Sequence, residues 1–404
     1  MSPFFEALLL QAGYNAALVA IGAALLGFAA GSSGTFLFLR KRALVSDAVA
    51  HATLPGVGLA FIVMVSLGGD GRSLLGLLLG SALTAWIGLL TIEWITRRTR
   101  LAEDAAIGAV LGVFFGIGIV LLTVIQSMSA GRQAGLESFL LGSTAGMLFQ
   151  DAVVIAVGGS LTVFATWLLR RPMTLVAFDG DYAAALGYDV RRIDLLMMGL
   201  VMAVTVIGLK LVGLILIVAM LIIPAVTARF WTERSGRVIW VAGAVGGLSG
   251  YLGAVLSASA PALPTGPIIV LVAAVLFVVS LLFAPGRGVL AAVLRHRSFQ
   301  ARVHRRQGLL ALAAQHPIRE AYTLRLLARE GLVRPDGVPT EAGRAQAAKV
   351  ARDERRWDVA REIHQDAGLT GRYDGVTPIE EVFTADEITE FDRRLGPPTA
   401  VGGA

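Results

Sequence analysis

"LVSDAVAHATLPGVGLAF", residues 44–61, decides how the chain is read. It is apolar enough to lie in a lipid bilayer, yet it carries Asp47 and His51, and His51 is the only histidine in the first 290 residues. Four residues apart, the two side chains share one helix face. A charge at the centre of a membrane is expensive, so such residues face a bundle interior or a wet cavity. With about 1.5 Å of rise per residue, a helix starting near Ala43 carries His51 roughly 12 Å deep. Ser46 and Thr53 add hydroxyls to the stripe, and "LPG", with Pro55 and Gly56, predicts a helix break that frees a carbonyl. Carboxylate, imidazole and carbonyl or water oxygen together suit a first-row divalent cation. A structural Asp–His hydrogen bond and a proton relay are the competing readings of the pair.

The rest of the first 284 residues is of the same character. The chain has 404 residues, 55% of them hydrophobic, and a mean hydropathy of +0.71. These values predict an integral membrane protein. Apolar runs of about 20 residues predict spans near 14–39, 43–67, 73–96, 104–127, 151–170, 193–209, 211–230, 238–257 and 266–284. Residues 193–230 read as two spans or one re-entrant pair, giving eight or nine in all. Residues 136–148 are too short to cross and read as interfacial. Among the 47 glycines, runs such as "GFAAGSSG" and "GAVGGLSG" predict close helix packing in a compact bundle.

Arginine and lysine fall on one set of loops: Arg40, Lys41, Arg42, Arg97, Arg98, Arg100, Arg170, Arg171, Arg191, Arg192, Arg229, Arg234 and Arg237. The other set holds Arg72, Arg132 and Lys210. The positive-inside rule then puts the N-terminus outside and the charged C-terminal region in the cytoplasm. There is no cysteine, which excludes thiolate ligands and thiol chemistry. None of the three lysines follows a glycine, so the chain has no G-x-x-x-x-G-K-[ST] phosphate loop. A transporter built on it and driven by ATP needs a separate ATPase chain, and the chain itself is no enzyme.

Between the spans, "FDGDYAAALGYDVRRIDLL", residues 178–196, reads as a short helix with Asp179, Asp181 and Asp189 around it and Gly187 as its C-terminal stop. A short helix outside the bilayer suits docking into a groove on a partner. Glu103 and Asp104 open a helix, where acids are favoured for structural reasons.

"RKRALVSDAVAHATLPGVGLAF", residues 40–61, resembles the second-span signature of permease subunits of the manganese/zinc/iron ABC importer family. "LAEDAAIGAVLGVFFGIGIVLL" from Leu101, the segment from Phe178 and "LVGLILIVAMLIIPAVTARF" from Leu211 resemble that family in the same order. The resemblance covers roughly residues 10–285. It implies a vitamin B12 importer-type permease bundle in a bacterial inner membrane. It implies two permease subunits, identical or homologous, two ATP-binding cassette ATPases and an extracytoplasmic metal-binding protein. Asp47 and His51 become candidate ligands for a transported Mn, Zn or Fe ion, with no permanently bound cofactor. Phe178, Asp179, Asp181, Leu186 and Gly187 become the coupling surface for the ATPase.

The chain divides near residue 290 into a permease domain, 1–290, and a C-terminal domain, 291–404. Residues 295–356 hold 14 basic and 6 acidic residues, and residues 357–404 hold 4 basic and 10 acidic. Helix, helix, a "VRPDGV" hairpin and a helix capped by Thr340 resemble the winged helix of diphtheria-toxin-repressor-like, iron-dependent regulators. "VTPIEEVFTADEITEFDRRLG" resembles the end of their dimerisation region. The sequence thus predicts an all-α membrane bundle plus a small winged-helix-like α(+β) domain. The metal-site segment of those regulators is replaced by "YDGVTPIEEVF", and basic and acidic residues nearly balance, so no nucleic acid is expected; the basic half suits membrane lipid. His296, His304, His316 and His364 lack ligand spacing. A membrane-anchored metalloregulator is the alternative function. A proton-coupled secondary transporter is the third, but no inverted repeat supports it.

Overall fold

The computed structural model describes residues 3–71, 73–128, 147–260, 263–363 and 373–396. It forms two compact units, Met1–Leu290 and Ala291–Ala404.

The first unit is a helical bundle. After a short α1 (Pro3–Leu8) come α2 (Tyr14–Leu39), α3 (Ala43–Ser66), α4 (Leu74–Arg98) and α5 (Glu103–Ser127). α6 (Phe149–Phe178) leads into the short α7 (Gly180–Ala185). Then follow α8 (Val190–Val212), α9 (Leu214–Trp231), α10 (Ser235–Ala258) and α11 (Thr265–Phe283). Eight of these are long and apolar enough to cross a membrane, and α9 contributes a shorter apolar helix, Leu216–Trp231. The expected run 193–230 is therefore two helices, separated only by Gly213 with φ +83°. Most of the segment read as interfacial, 136–146, lies outside the described residues, as does His364.

Glycine decides which helices touch. A Cβ on Gly27 would stand 2.2 Å from the Gly246 carbonyl oxygen, one on Gly31 2.2 Å from that of Ala242, and one on Gly250 2.2 Å from that of Ala23. The stripes on α2 and α10 thus press backbone against backbone. Between α3 and α4 the same holds at Gly56, where a Cβ would lie 2.1 Å from the Gly80 oxygen. In lipid there is little hydrophobic drive between helices, so this contact by small residues supplies the packing energy.

The predicted break at Pro55 and Gly56 is absent: α3 runs unbroken through both. Proline removes one backbone hydrogen bond without ending a membrane helix whose neighbours hold it in place. Its missing N–H leaves the His51 carbonyl without its usual helical donor. Gly56 serves the approach to α4.

Ion pairs tie helix ends at the arginine-rich side. Asp194, buried at the start of α8, pairs with Arg42 and with Arg40, the latter at 3.0 Å. Arg42 also reaches Glu103 at 2.7 Å, and Arg40 Nη1 donates to the Val176 carbonyl at 3.1 Å. The ends of α2 and α6 and the starts of α3, α5 and α8 therefore meet at one level. Glu93, buried on α4, pairs with Arg97 and, at 3.5 Å, with Arg191. Arg287 holds Glu233 at 2.6 Å just past the end of α11.

The second unit is helical too. It contains most of α12 (Val289–Ala313), then α13 (Ala321–Arg329), α14 (Glu341–Ile363), a 3₁₀ turn (Ile379–Glu381) and α15 (Ala385–Leu395). Leu309, Leu327, Leu332, Val333 and Ala347 form one core. Trp357, Ala360, Ile379, Phe383 and Phe391 form another. Thr340 caps α14, accepting from the Gly343 N–H at 3.1 Å.

The winged-helix expectation fails here. Among the described residues there is no β-strand; "VRPDGV" makes a tight turn closed by one isolated bridge, Val333 to Pro339. A wing needs a two-stranded ladder. The pairing made by the Arg334 N–H to the Val338 carbonyl at 2.8 Å and the Thr340 N–H to the Leu332 carbonyl at 3.0 Å goes no further, because the Leu332 N–H is bonded to the Leu327 carbonyl at 2.9 Å and α14 starts at Glu341. The regulator resemblance, and with it the anchored-regulator function, loses its basis.

Candidate functional site

Asp47 and His51 lie one turn apart on α3, with Asp47 Oδ1 3.5 Å from His51 Nε2. Asp47 is 41% exposed and His51 19% exposed. The Phe115 ring of α5 meets the imidazole edge-on at 5.1 Å, and Nδ1 of His51 is buried with no hydrogen-bond partner among the described residues. Phe115 was not legible as a site residue, because it is one of several apolar residues in a span.

The 3.5 Å separation is long for a good hydrogen bond. It fits two ligands of one cation: with bonds of about 2.1 Å it corresponds to an O–metal–N angle of about 110°. No group of three His, Cys, Asp or Glu side chains that could hold a metal occurs among the described residues. Among the described residues Asp47 and His51 thus stand as a pair of candidate ligands and not as part of a larger cluster. The Ser46 and Thr53 hydroxyls donate back to the Ala43 and Ala50 carbonyls at 2.6 Å each, which fixes their orientation along the helix. Pro55 and Gly56 do not interrupt the helix beside them.

The segment after α6 is built as the sequence predicts locally. Asp179 caps α7, accepting from the Tyr182 N–H at 2.9 Å, and Asp189 caps α8, accepting from the Arg192 N–H at 3.1 Å. At the C-terminal end Leu186 is the capping residue and Gly187 follows with φ +87°. Gly187 N–H reaches the Ala184 carbonyl at 2.9 Å and Tyr188 N–H that of Ala183 at 3.1 Å, a Schellman motif that favours glycine at this position. Ala183 turns inward against Val176 and Met197. Phe178, Tyr182 and Leu186 are 61%, 55% and 55% exposed, and Asp181 is exposed beside them. A short rigid helix thus presents three large apolar side chains with acids at its start.

The Arg40–Arg42–Asp194–Glu103 cluster went unread in the sequence. Glu103 looked like an ordinary helix-start acid, and Asp194 fell inside the predicted span 193–209 with no role assigned to it. The available signal was an acid four residues inside an otherwise apolar helix, directly after two arginines.

Comparison with known proteins agrees with this arrangement. The family described as ABC 3 transport family matches residues 14–284. The manganese transport system membrane protein MntC of Bacillus subtilis (strain 168) is 44% identical over 313 residues, spanning 77% of this chain and 71% of that protein. The zinc transport system membrane protein TroC of Treponema pallidum (strain Nichols) is 37% identical over 284 residues, spanning 70% of this chain and 94% of that one. Among solved structures, PsaBC from Streptococcus pneumoniae in complex with Fab superposes with a TM-score of 0.60 at 30% identity, covering 70% of this chain and 96% of the other. From α2 to the end of α11, then, sequence and fold agree: the chain belongs to the ABC 3 transport family.

Proposed function

We infer that the chain is the transmembrane permease subunit of an ATP-driven importer of divalent transition-metal ions, Mn, Zn or Fe. The family match over residues 14–284 carries this reading, and the Asp47–His51 pair in α3 supplies its chemistry. ATP hydrolysis belongs to separate ATP-binding cassette subunits. They dock on α7 through Phe178, Tyr182 and Leu186, with Asp179, Asp181 and Gly187 fixing the shape of that helix. A second permease, identical or homologous, and an extracytoplasmic metal-binding protein complete the assembly. The arginine-rich helix ends face the cytoplasm, which places the N-terminus outside and the second unit inside.

Asp47 and His51 act as transient ligands. They bind as a carboxylate oxygen and an imidazole nitrogen lone pair. Two side-chain ligands leave the remaining positions to water or to the second permease. Such a partial shell holds a cation less tightly than a closed structural site. A translocation pathway needs that property, because the ion must leave as well as enter. The His51 carbonyl, without its donor because of Pro55, is a further oxygen at the same level.

Uptake of Mn, Zn and Fe into cells carrying the complete transporter tests the assignment. Asp47→Asn and His51→Ala are expected to abolish uptake while insertion and ATPase co-purification persist. Uptake at the unmutated rate by either variant returns the pair to a structural role.

A further inference from the structure

The first half of α12 is exposed, and nothing among the described residues covers it. Val289, Leu290, Val293 and Leu294 are 47%, 48%, 43% and 57% exposed, and Ala292 is exposed between them. Six consecutive apolar residues, 289–294, thus stand in two helical turns with no apolar partner. Arg295, His296 and Arg297 follow at once, then Phe299, 39% exposed, and Arg302. Arg305 and Arg306 further on are engaged elsewhere, with Glu330 at 2.7 Å and Glu354 at 2.5 Å. Arg297 and Arg302 have no partner among the described residues.

Charge says what covers this helix. No acid occurs between Glu233 and Glu320. Within that stretch Glu233 is already neutralised by Arg287. The segment starts six residues after the last span ends at Phe283, on the side where Glu233 and Arg287 meet. Its apolar turns cover about 9 Å at about 1.5 Å per residue. That matches the roughly 5–10 Å to which interfacial helices sink into the boundary between headgroups and acyl chains. The arginines that follow then stand at phosphate level, where clusters of basic residues next to a span bind anionic lipid.

We propose that residues 289–302 form an oblique membrane anchor, with the turns 289–294 sunk into the leaflet on the arginine-rich side and Arg297 and Arg302 on anionic phospholipid headgroups. The helix is apolar all round for two turns and then basic, so it enters tip first. A surface-lying helix would instead carry one apolar and one polar stripe. The anchor is independent of metal binding at Asp47 and His51.

The chain has no cysteine, so Val293→Cys carries a single environment-sensitive fluorophore in the full-length protein. The labelled chain is placed in nanodiscs of phosphatidylcholine alone or of phosphatidylcholine with phosphatidylglycerol. The expected result is a blue-shifted emission, quenched by lipids brominated on the upper acyl chain, in the phosphatidylglycerol discs. The shift should be much smaller in phosphatidylcholine alone and in the Arg297→Gln/Arg302→Gln form, with unchanged elution as a folded particle. Aqueous emission in both lipids overturns the proposal. So does an equal shift in both, and so does a shift that appears only when the ATPase subunit is added, which would make the helix a protein-binding surface.

Discussion

Asp194 and Arg42 are 152 residues apart in sequence and form a direct ion pair at the start of two different spans. Arg42 stands five residues before Asp47, and Asp194 stands five residues after Asp189, the cap of the helix that follows α7. The pair therefore joins the segment that leads into the helix of the proposed ligands to the segment that leads out of the proposed ATPase surface. Glu103 on α5 shares the same guanidinium. Asp194→Asn is expected to lower stability by about 2–3 kcal/mol, less than for a fully buried pair because both arginines keep some solvent contact. Asp194→Glu should recover part of it. Thermal unfolding of the purified protein measures the loss. Transport per ATP hydrolysed should fall further than stability alone explains, whereas an unchanged ratio would leave the cluster a purely structural tie.

Gly246→Ala should disrupt the bundle, because its Cβ would sit 2.1 Å from the Gly27 carbonyl oxygen. Gly108→Ala should be silent, since nothing lies within 4 Å of the added atom. Size-exclusion profiles in detergent separate the two outcomes. A monodisperse, fully stable Gly246→Ala protein would contradict the backbone contact between α2 and α10.

Gly187→Ala strains a residue held at φ +87° by about 1–2 kcal/mol, and Gly187→Pro cannot adopt that φ at all. ATPase co-purification should weaken with alanine and be lost with proline, while membrane insertion stays intact. Equal co-purification of all three forms would remove α7 from the docking surface.

The second unit should open in acid. Arg356 bonds Asp392 and holds its carboxyl below the usual range, with Arg352 adding to the effect. The Thr377 and Val376 N–H groups do the same for Asp374. At Glu354 burial acts upward, but hydrogen bonds from Tyr373 and Arg306 leave the net shift downward. In each case the folded form stays ionised where the unfolded chain, at about 4, takes up protons. The stabilisation is complete above that pH and is lost as pH falls through the lower folded values. Protection against hydrogen exchange in α14 and α15, taken relative to the intrinsic amide rate at each pH, should be steady from pH 7 to 5 and fall below about 4. Asp392→Asn should exchange faster already at pH 7 and respond less to acid.

The spans were readable because each is a run of about 20 apolar residues, and most are bounded by arginine or glycine, a pattern that depends on composition alone. The glycine stripes were readable as packing surfaces, but not their partners: that Gly27 meets Gly246 and Gly56 meets Gly80 depends on the arrangement of the whole bundle. Pro55 misled because the rule that proline ends helices is weaker in a membrane, where neighbours hold the backbone. The wing misled for a different reason. Its turn chemistry was read correctly, and Asp336 does accept the Val338 N–H at 3.1 Å. A turn does not make a ladder, however: the Leu332 N–H is bonded to the Leu327 carbonyl and α14 starts at Glu341, so the pairing stops after one bridge. Of the site, the i, i+4 pair and the caps of α7 were local and visible. Phe115 and Asp194 became visible only once distant spans were side by side.

The glycine seams constrain motion. Where backbone abuts backbone there are no side chains to change rotamer, so α2 with α10, and α3 with α4, each behave as a welded beam that slides only by breaking. The joint between the beams is the corner at Lys41, a non-glycine residue with φ +58°, braced by Arg40 and Arg42 against Asp194. A cycle of opening and closing is expected to swing one beam against the other about that corner. Asp47 and His51, on the first turns of the swinging arm, travel a short distance while the far end of α3 travels a long one.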